Sequence, residues 1–468
     1  MKKSVFSALL AGAFVFAAGC GGTPSASDSP SGPSSGSSSA GNSPLTPVSE
    51  MPVFEDDGSY EFYIGAWNCP SQTDIRAMQY MAECGINHAM MSSATTDTQT
   101  MRAIIENAAQ YGVQVYPQMA NKSIATAEEF FHGDFDNYLD NPGLAGFCYY
   151  DEPMSDKFDA LIRIAEDHNE NYPDLDFFVN LYSSFYYDDF PDQNTASSYF
   201  EYVSMYCSKV LSKIDGKRIL SADHYPMRWN KSTQSGMYID FTWLQTCEAI
   251  AENAKAYGAM PHFYLTSTEH YDYRKPTETR LRFEMNVYMT YGAQGLSHFG
   301  YAGDESGSEP RKFENSMVSG NGLTKRPFYD TAKKLNHEVL AWDHVFLRYD
   351  WQGVMNVLGE GNDSNVLFDN TMLSMSYLPC LDFVTASGDT IIGYFTDENG
   401  QPAYMVTNIG DPDMVTETDV VQMQIGGATD ALVYHRGESS AVEGDNGLFT
   451  LELGPGEAMF LIPVNLAD

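Results

Sequence analysis

Acidic, amide and aromatic side chains recur at the ends of short apolar runs in this chain. Asp151-Glu152-Pro153 closes Gly146-Phe-Cys-Tyr-Tyr150, Asn180 and Tyr182 close a run that begins at Asp176, and Asp223-His224-Tyr225 follows Ile219 to Ala222. Glu269-His270 follows Leu265 to Thr268, while Trp67, Gln118, His298 and Tyr301 hold corresponding places. Hydrolysis of a glycosidic bond needs two carboxyl groups, one protonated to assist the leaving oxygen and one ionised to attack carbon or activate water. Glu152 with Glu269 or Asp223 could supply both. Ring faces stack on sugar C–H surfaces while nearby acids and amides bind hydroxyls, which makes Trp67 and Tyr225 the first aromatic candidates. Other chemistries lack their nucleating motifs: there is no His-Glu-x-x-His, Gly-x-Ser-x-Gly or phosphate-binding glycine loop. The cysteines after Cys20 form no Cys-x-x-Cys, so neither a metal nor a cofactor is expected.

The elements that must position these groups alternate regularly. Strands are predicted to start near 63, 88, 113, 146, 176, 219, 261 and 294, each followed by helical periodicity such as Met101, Ile104, Ile105 and Ala108. That count fits a (β/α)8 barrel, in which working residues lie at the C-terminal ends of the strands. A doubly wound open sheet is the alternative, and it lacks the expected Gly-x-Gly-x-x-Gly after the first strand. From about 345 helical stripes vanish, and runs such as Thr390–Phe395, Ala403–Thr407, Val420–Ile425 and Leu448–Leu453 alternate with turn signals. The reading is a barrel over 51–344 and a C-terminal all-β sandwich over 345–468.

The first twenty residues carry Lys2-Lys3, an apolar stretch from Val5 to Ala18 and small residues before Cys20, the pattern of an export signal. The segment resembles a bacterial lipoprotein signal, which implies lipidation at Cys20 and an extracytoplasmic protein anchored to the membrane. Residues 21–50 contain 11 Ser, 5 Gly and 5 Pro, a composition that reads as a flexible tether. The chain has 26 Lys+Arg against 63 Asp+Glu, a formal charge of −37. With no basic cluster to neutralise phosphates, nucleic acid is an unsuitable partner and neutral polar ligands suit better.

On these stretches the chain resembles the clan of retaining β-glycosidases built on (β/α)8 barrels, and within it the β-galactosidase-like proteins of glycoside hydrolase family 42. Gly146 to Pro153 is similar to the strand-four segment of that clan, Val179–Tyr182 and Ser221–Pro226 to its fifth and sixth strands, and Tyr273–Arg282 with Tyr291–Gly295 to its last barrel helix. The resemblance implies that Glu152 is the general acid/base and Glu269 the nucleophile, with Asp223 the competitor for that role. Asp151 stands where the clan has Asn: a second carboxylate beside Glu152 would raise its pKa by like-charge repulsion, or Asp151 would itself bind a substrate hydroxyl or a cation. The expected substrate-binding set is Trp67, Asp151, Asn180, Tyr182, Asp223, His224, Tyr225 and Tyr301. Glu278 and Glu284, at helical spacing, read as surface or capping groups. A non-catalytic carbohydrate-binding lipoprotein on the same scaffold is the competing reading.

Overall fold

The computed structural model describes residues 45–92, 97–118, 135–187, 193–230, 235–304 and 312–467. Cys20, the expected export signal and the expected tether up to residue 44 lie outside them. Eight parallel strands close a barrel: β1 (Tyr63–Cys69), β2 (His88–Ser92), β3 (Gln114–Gln118), β4 (Gly146–Asp151), β5 (Asp176–Leu181), β6 (Ile219–Asp223), β7 (Met260–Thr266) and β8 (Gly295–Phe299). Each pairs with its neighbours in sequence, and β8 returns to β1 with Ser297 beside Gly65. The helices outside are α1 (Arg76–Glu83), α2 (Thr98–Ala109), α3 (Phe158–Asn171), α4 (Tyr199–Lys209), α5 (Trp243–Tyr257), α6 (Glu278–Thr290) and α7 (Pro327–Leu340).

Period-two alternation along the strands divides two environments. Ile64, Ala89, Val115, Phe147, Phe177, Leu220, Phe263 and Leu296 face outward into the apolar layer beneath the helices. Tyr63, Met90, Tyr116, Cys148, Phe178 and Ile219 face inward and fill the barrel floor. The helices start where polar caps satisfy free N–H groups: Asp97 accepts from Thr100, Ser198 from Glu201 and Thr277 from Arg280. Gly258 ends α5 in the left-handed conformation at φ +59°.

The C-terminal part is two antiparallel sheets. One has the strand order Asp350–Val357, Thr390–Thr396, Pro402–Asn408, Ala458–Leu466, Asp430–His435, Glu438–Glu443, and the other Leu381–Ala386, Asp419–Ile425, Leu448–Leu453. Pro47–Val48, which composition places in the tether, pairs in parallel with Asn465–Leu466, and Leu45 is buried in the core of this domain. Trp342, Phe346, Phe395, Tyr434 and Phe460 carry the barrel's apolar core across to the sheets. Glu284 is buried rather than superficial: its carboxylate accepts from the Thr266 N–H at 2.7 Å, and burial raises its pKa to about 7. Glu278 stays at the surface, between Arg282 and Lys334.

Polar contacts tie the two domains directly behind the top of β7. The Arg274 guanidinium, 2% exposed, makes a two-pronged pair with Asp411 (2.8 and 2.8 Å) and a further contact of 2.6 Å with Asp413, which Arg280 also holds. Its Nε donates to the Arg228 carbonyl at 2.9 Å. Six described cysteines carry free thiols, and all but Cys380 are buried. Removing one partner of such a buried pair strands the other charges, so Arg274→Ala should lower the unfolding free energy by about 3–5 kcal/mol in equilibrium denaturation.

Candidate active site

The strand ends converge on a cleft of about 570 Å³ at the C-terminal face of the barrel. Its floor holds three carboxyl groups: Asp151 and Glu152 from β4 and the residue after it, and Asp223 from the end of β6. Asn180 of β5 stands between them and donates through Nδ2 to Asp151 Oδ1 at 3.3 Å and to Asp223 Oδ1 at 2.9 Å. One amide thus sets the separation of two carboxylates.

The direction of that amide is fixed from below. Its carbonyl accepts from Ser221 Oγ at 2.8 Å; Ser221 Oγ lies 2.9 Å from His262 Nδ1, and His262 Nε2 lies 2.8 Å from Ser297 Oγ. Ser221, His262 and Ser297 are fully buried, and burial lowers the His262 pKa to about 3, so the ring is neutral. Ser221 has one hydroxyl proton and gives it to Asn180, so it accepts from Nδ1–H. His262 Nε2 then accepts from Ser297, and every donor in the chain points one way. Gly65 makes room for this arrangement, since a Cβ there would lie 2.0 Å from Ser297 Oγ.

Crowding sets the electrostatics. Burial, then the charges of Asp223 and Asp151, raise the Glu152 pKa to about 10, so it carries a proton at neutral pH. Burial and the Asp151 charge raise Asp223 to about 7, and burial raises Asp151 to about 6; in both, the Asn180 amide works in the opposite direction. Glu152 also occupies left-handed backbone at φ +55°, its N–H given to the Asn180 backbone carbonyl at 2.8 Å. Glutamate at positive φ costs of order 1 kcal/mol, a cost that clusters at functional sites.

Aromatic rings wall the cleft. Trp67 meets Tyr264 edge-on at 5.4 Å, and Tyr225 packs on Tyr273 and Phe299, each at 4.8 Å. Of the residues expected from sequence, the structure brings Trp67, Asp151, Glu152, Asn180, Tyr182, Asp223 and Tyr225 together here. It does not bring in Glu269, His224 or Tyr301. β7 ends at Thr266, so Glu269 lies three residues beyond the barrel, pairs backbone to backbone with Glu314 and accepts from the Asn315 amide at 2.9 Å. His224 alternates to the face opposite Asp223 and packs outward, with Nδ1 2.8 Å from Thr246 Oγ1 and Nε2 3.5 Å from Asp240. Tyr301, two residues past β8, is wholly buried in the apolar core, and Phe299 takes the cleft-facing place.

Sequence reasoning placed His270 at a strand end without assigning it to the site, and it missed the rest of the wall: Phe185 and Tyr186, Arg228 of a hairpin (Met227–Asn230 with Ser235–Ile239) inserted after β6, and Tyr271 to Tyr273. Tyr264 was legible, because it lies two residues from the inward-facing His262 on β7. Among the described residues no cluster of His, Cys, Asp and Glu suits a metal ion.

No protein-family model matches the chain, and no curated protein matches it. Among solved structures, a Bacteroides fragilis protein assigned as an α-galactosidase superposes with a TM-score of 0.51 at 9% identity, covering 87% of this chain and 80% of that one. The α-galactosidase I of Mortierella vinacea superposes with a TM-score of 0.50 at 8% identity, covering 88% and 100%. At such identity the likeness establishes a shared fold, a (β/α)8 barrel followed by a β-domain.

The raised acids make a prediction about stability. Asp223 titrates near 4 when unfolded and at about 7 when folded, so the folded state binds the extra proton. Its contribution to stability therefore falls as pH rises from about 4 through about 7. Asp223→Asn should raise Tm at pH 8 relative to the parent, with the gain shrinking toward pH 4, as read by thermal denaturation at both pH values.

Proposed function

We propose that this protein is a glycoside hydrolase that works with Glu152 as general acid/base and Asp223 as nucleophile, by a retaining mechanism. The observation that carries the reading is the triad of cleft carboxyls, in which one keeps its proton and two share the Asn180 amide. Glu152 gives its proton to the glycosidic oxygen as the bond from that oxygen to the anomeric carbon breaks, and an Asp223 oxygen bonds to that carbon. Water then attacks the same carbon, Glu152 takes the proton of the water, and the bond to Asp223 breaks. The Asn180 amide stabilises Asp223 more strongly in its ionised form, and Asp151 keeps that amide in place while its second oxygen accepts a sugar hydroxyl. Trp67, Tyr182 and Tyr225 supply ring surface for the sugar.

The α-galactosidases that share the fold put α-galactosides first among substrates to try, with β-galactosides beside them because of the family 42 resemblance. We also infer that the chain is lipidated at Cys20 and held at an extracytoplasmic membrane face. Cys20→Ser should abolish labelled-palmitate incorporation and shift the protein from the detergent to the aqueous phase on phase partitioning.

For the cleaved aryl galactoside, Glu152→Gln and Asp223→Asn should each lower kcat/KM by about 10²–10⁴-fold, and Glu269→Gln by less than threefold. Equal loss in all three would remove Asp223 from the nucleophile's role. A protein that cleaves no glycoside yet is retarded by glycans in affinity gels would instead be a carbohydrate-binding protein. Activity should rise with pH as Asp223 ionises and fall as Glu152 loses its proton. Asn180→Ala removes the donor that holds Asp223 down, so it should move the rising limb of the kcat/KM profile to higher pH.

A further inference from the structure

The cleft does not end at its acids. The hairpin after β6 and the loop after β7 form a small three-stranded wall in which Arg228 is paired with Tyr238 on one side and bridged to Tyr273 on the other. Bonds from the Trp229 N–H to the Asp272 carbonyl and from the Arg274 N–H to the Met227 carbonyl flank the second pairing. Side chains directly opposite each other across antiparallel strands share a face. Tyr273, Arg228 and Tyr238 therefore stand in one row, and the first two line the cleft.

Exposure changes abruptly along that row. Tyr273 is 5% exposed and Arg228 1%, whereas Tyr238, across the hairpin from Arg228, is 42% exposed and Tyr271, two residues before Tyr273 in the cleft lining, 39%. Pairing with Arg228 across the hairpin places Tyr238 at the outer edge of the same wall. Arg228 is stacked over Phe185, its Cζ 3.9 Å from the ring centroid, and Nη1 donates to Asp272 at 2.9 Å. Its Nε, fully buried, has no hydrogen-bond partner among the described residues. A desolvated guanidinium N–H left unpaired costs stability, so a polar ligand atom at that point is worth more than one at an open surface.

We propose that Tyr238, Tyr271 and the Arg228 Nε form a second sugar-binding subsite, adjacent to the one over Glu152 and Asp223, so that the substrate is a neutral oligo- or polysaccharide rather than a simple monoglycoside. The proposal rests on the reading of the cleft as a glycosidase site. Two half-exposed tyrosine rings offer stacking surface for one further sugar unit, and the unpaired N–H offers a donor to a ring or hydroxyl oxygen. The charge argument selects neutral glycans: the carboxylates of Asp151, Asp223 and Asp272 outnumber the single guanidinium, and a chain of formal charge −37 repels polyanions.

The test compares the full protein and Tyr238→Ala on p-nitrophenyl galactoside and on di-, tri- and tetrasaccharides of galactose in the same anomeric linkage. In the parent, kcat/KM should rise with chain length. In Tyr238→Ala it should fall about three- to tenfold on the trisaccharide and less than twofold on the aryl monoglycoside, which does not reach Tyr238. Tyr238→Phe, which keeps the ring, should retain the parent's chain-length dependence. An equal fall on both substrates, or none on the trisaccharide, would overturn the subsite. Affinity electrophoresis in galactomannan and arabinogalactan gels separates this from failure of the hydrolase reading. Retardation weakened by Tyr238→Ala without any hydrolysis would support the subsite and sink the hydrolase, whereas the absence of both retardation and hydrolysis would overturn both.

Discussion

A single amide shared by two carboxylates organises this protein's cleft. Asn180 must present Nδ2 to Asp151 and Asp223 together, and it does so only because Ser221 claims its carbonyl. That requirement passes through His262 to Ser297 and reaches β1, where glycine is the residue that leaves space for the serine hydroxyl. The barrel interior is therefore two kinds of core: an apolar floor that stabilises closure, and above it a directed polar chain whose cost is offset by complete pairing.

The acids above that chain are held against their own preference. Glu152 sits on left-handed backbone, in protein, beside two other carboxyls, and each of these factors works against ionisation or relaxed geometry. Stability is surrendered locally to keep a proton where bulk water would remove it, and the surrounding structure must over-determine the arrangement. The clamp of Arg274 on Asp411 and Asp413 fits that need, because it fixes the loop whose preceding residues, His270 to Tyr273, wall the cleft. The C-terminal sheets thereby act on the site without contributing a group to it.

Much of this was legible in the residues. The eight strand starts follow from apolar runs separated by helical stripes, and Glu152, Asp223, Asn180, Tyr182 and Trp67 from their places at strand ends. The losses have specific causes. Glu269 was counted as a strand end, whereas β7 stops at Thr266, and run length alone does not mark where pairing ceases. His224 fell to alternation, since a neighbour of an inward-facing residue must face out. Arg228 and Tyr238 lie on an inserted hairpin whose strands are only four and five residues long, too short for alternation to mark them, so only tertiary pairing brings that hairpin to the cleft. Glu284 shows the reverse case, a carboxylate whose helical spacing gave no sign that it would be buried against the end of a strand.

The cysteines carry a consequence for biogenesis. Burial holds the described thiols un-ionised, with pKa values raised above the ordinary range, and none is joined to another. Thiolates are the species that react, so these groups are poor substrates for oxidants or for thiol exchange once the chain has folded. The described fold thus depends on no disulfide among these cysteines, and a reducing compartment would suit its formation as well as an oxidising one. For the exported protein proposed above, delivery across a membrane as an extended chain would then depend on keeping a redox-indifferent barrel from closing too early, a kinetic demand rather than a chemical one.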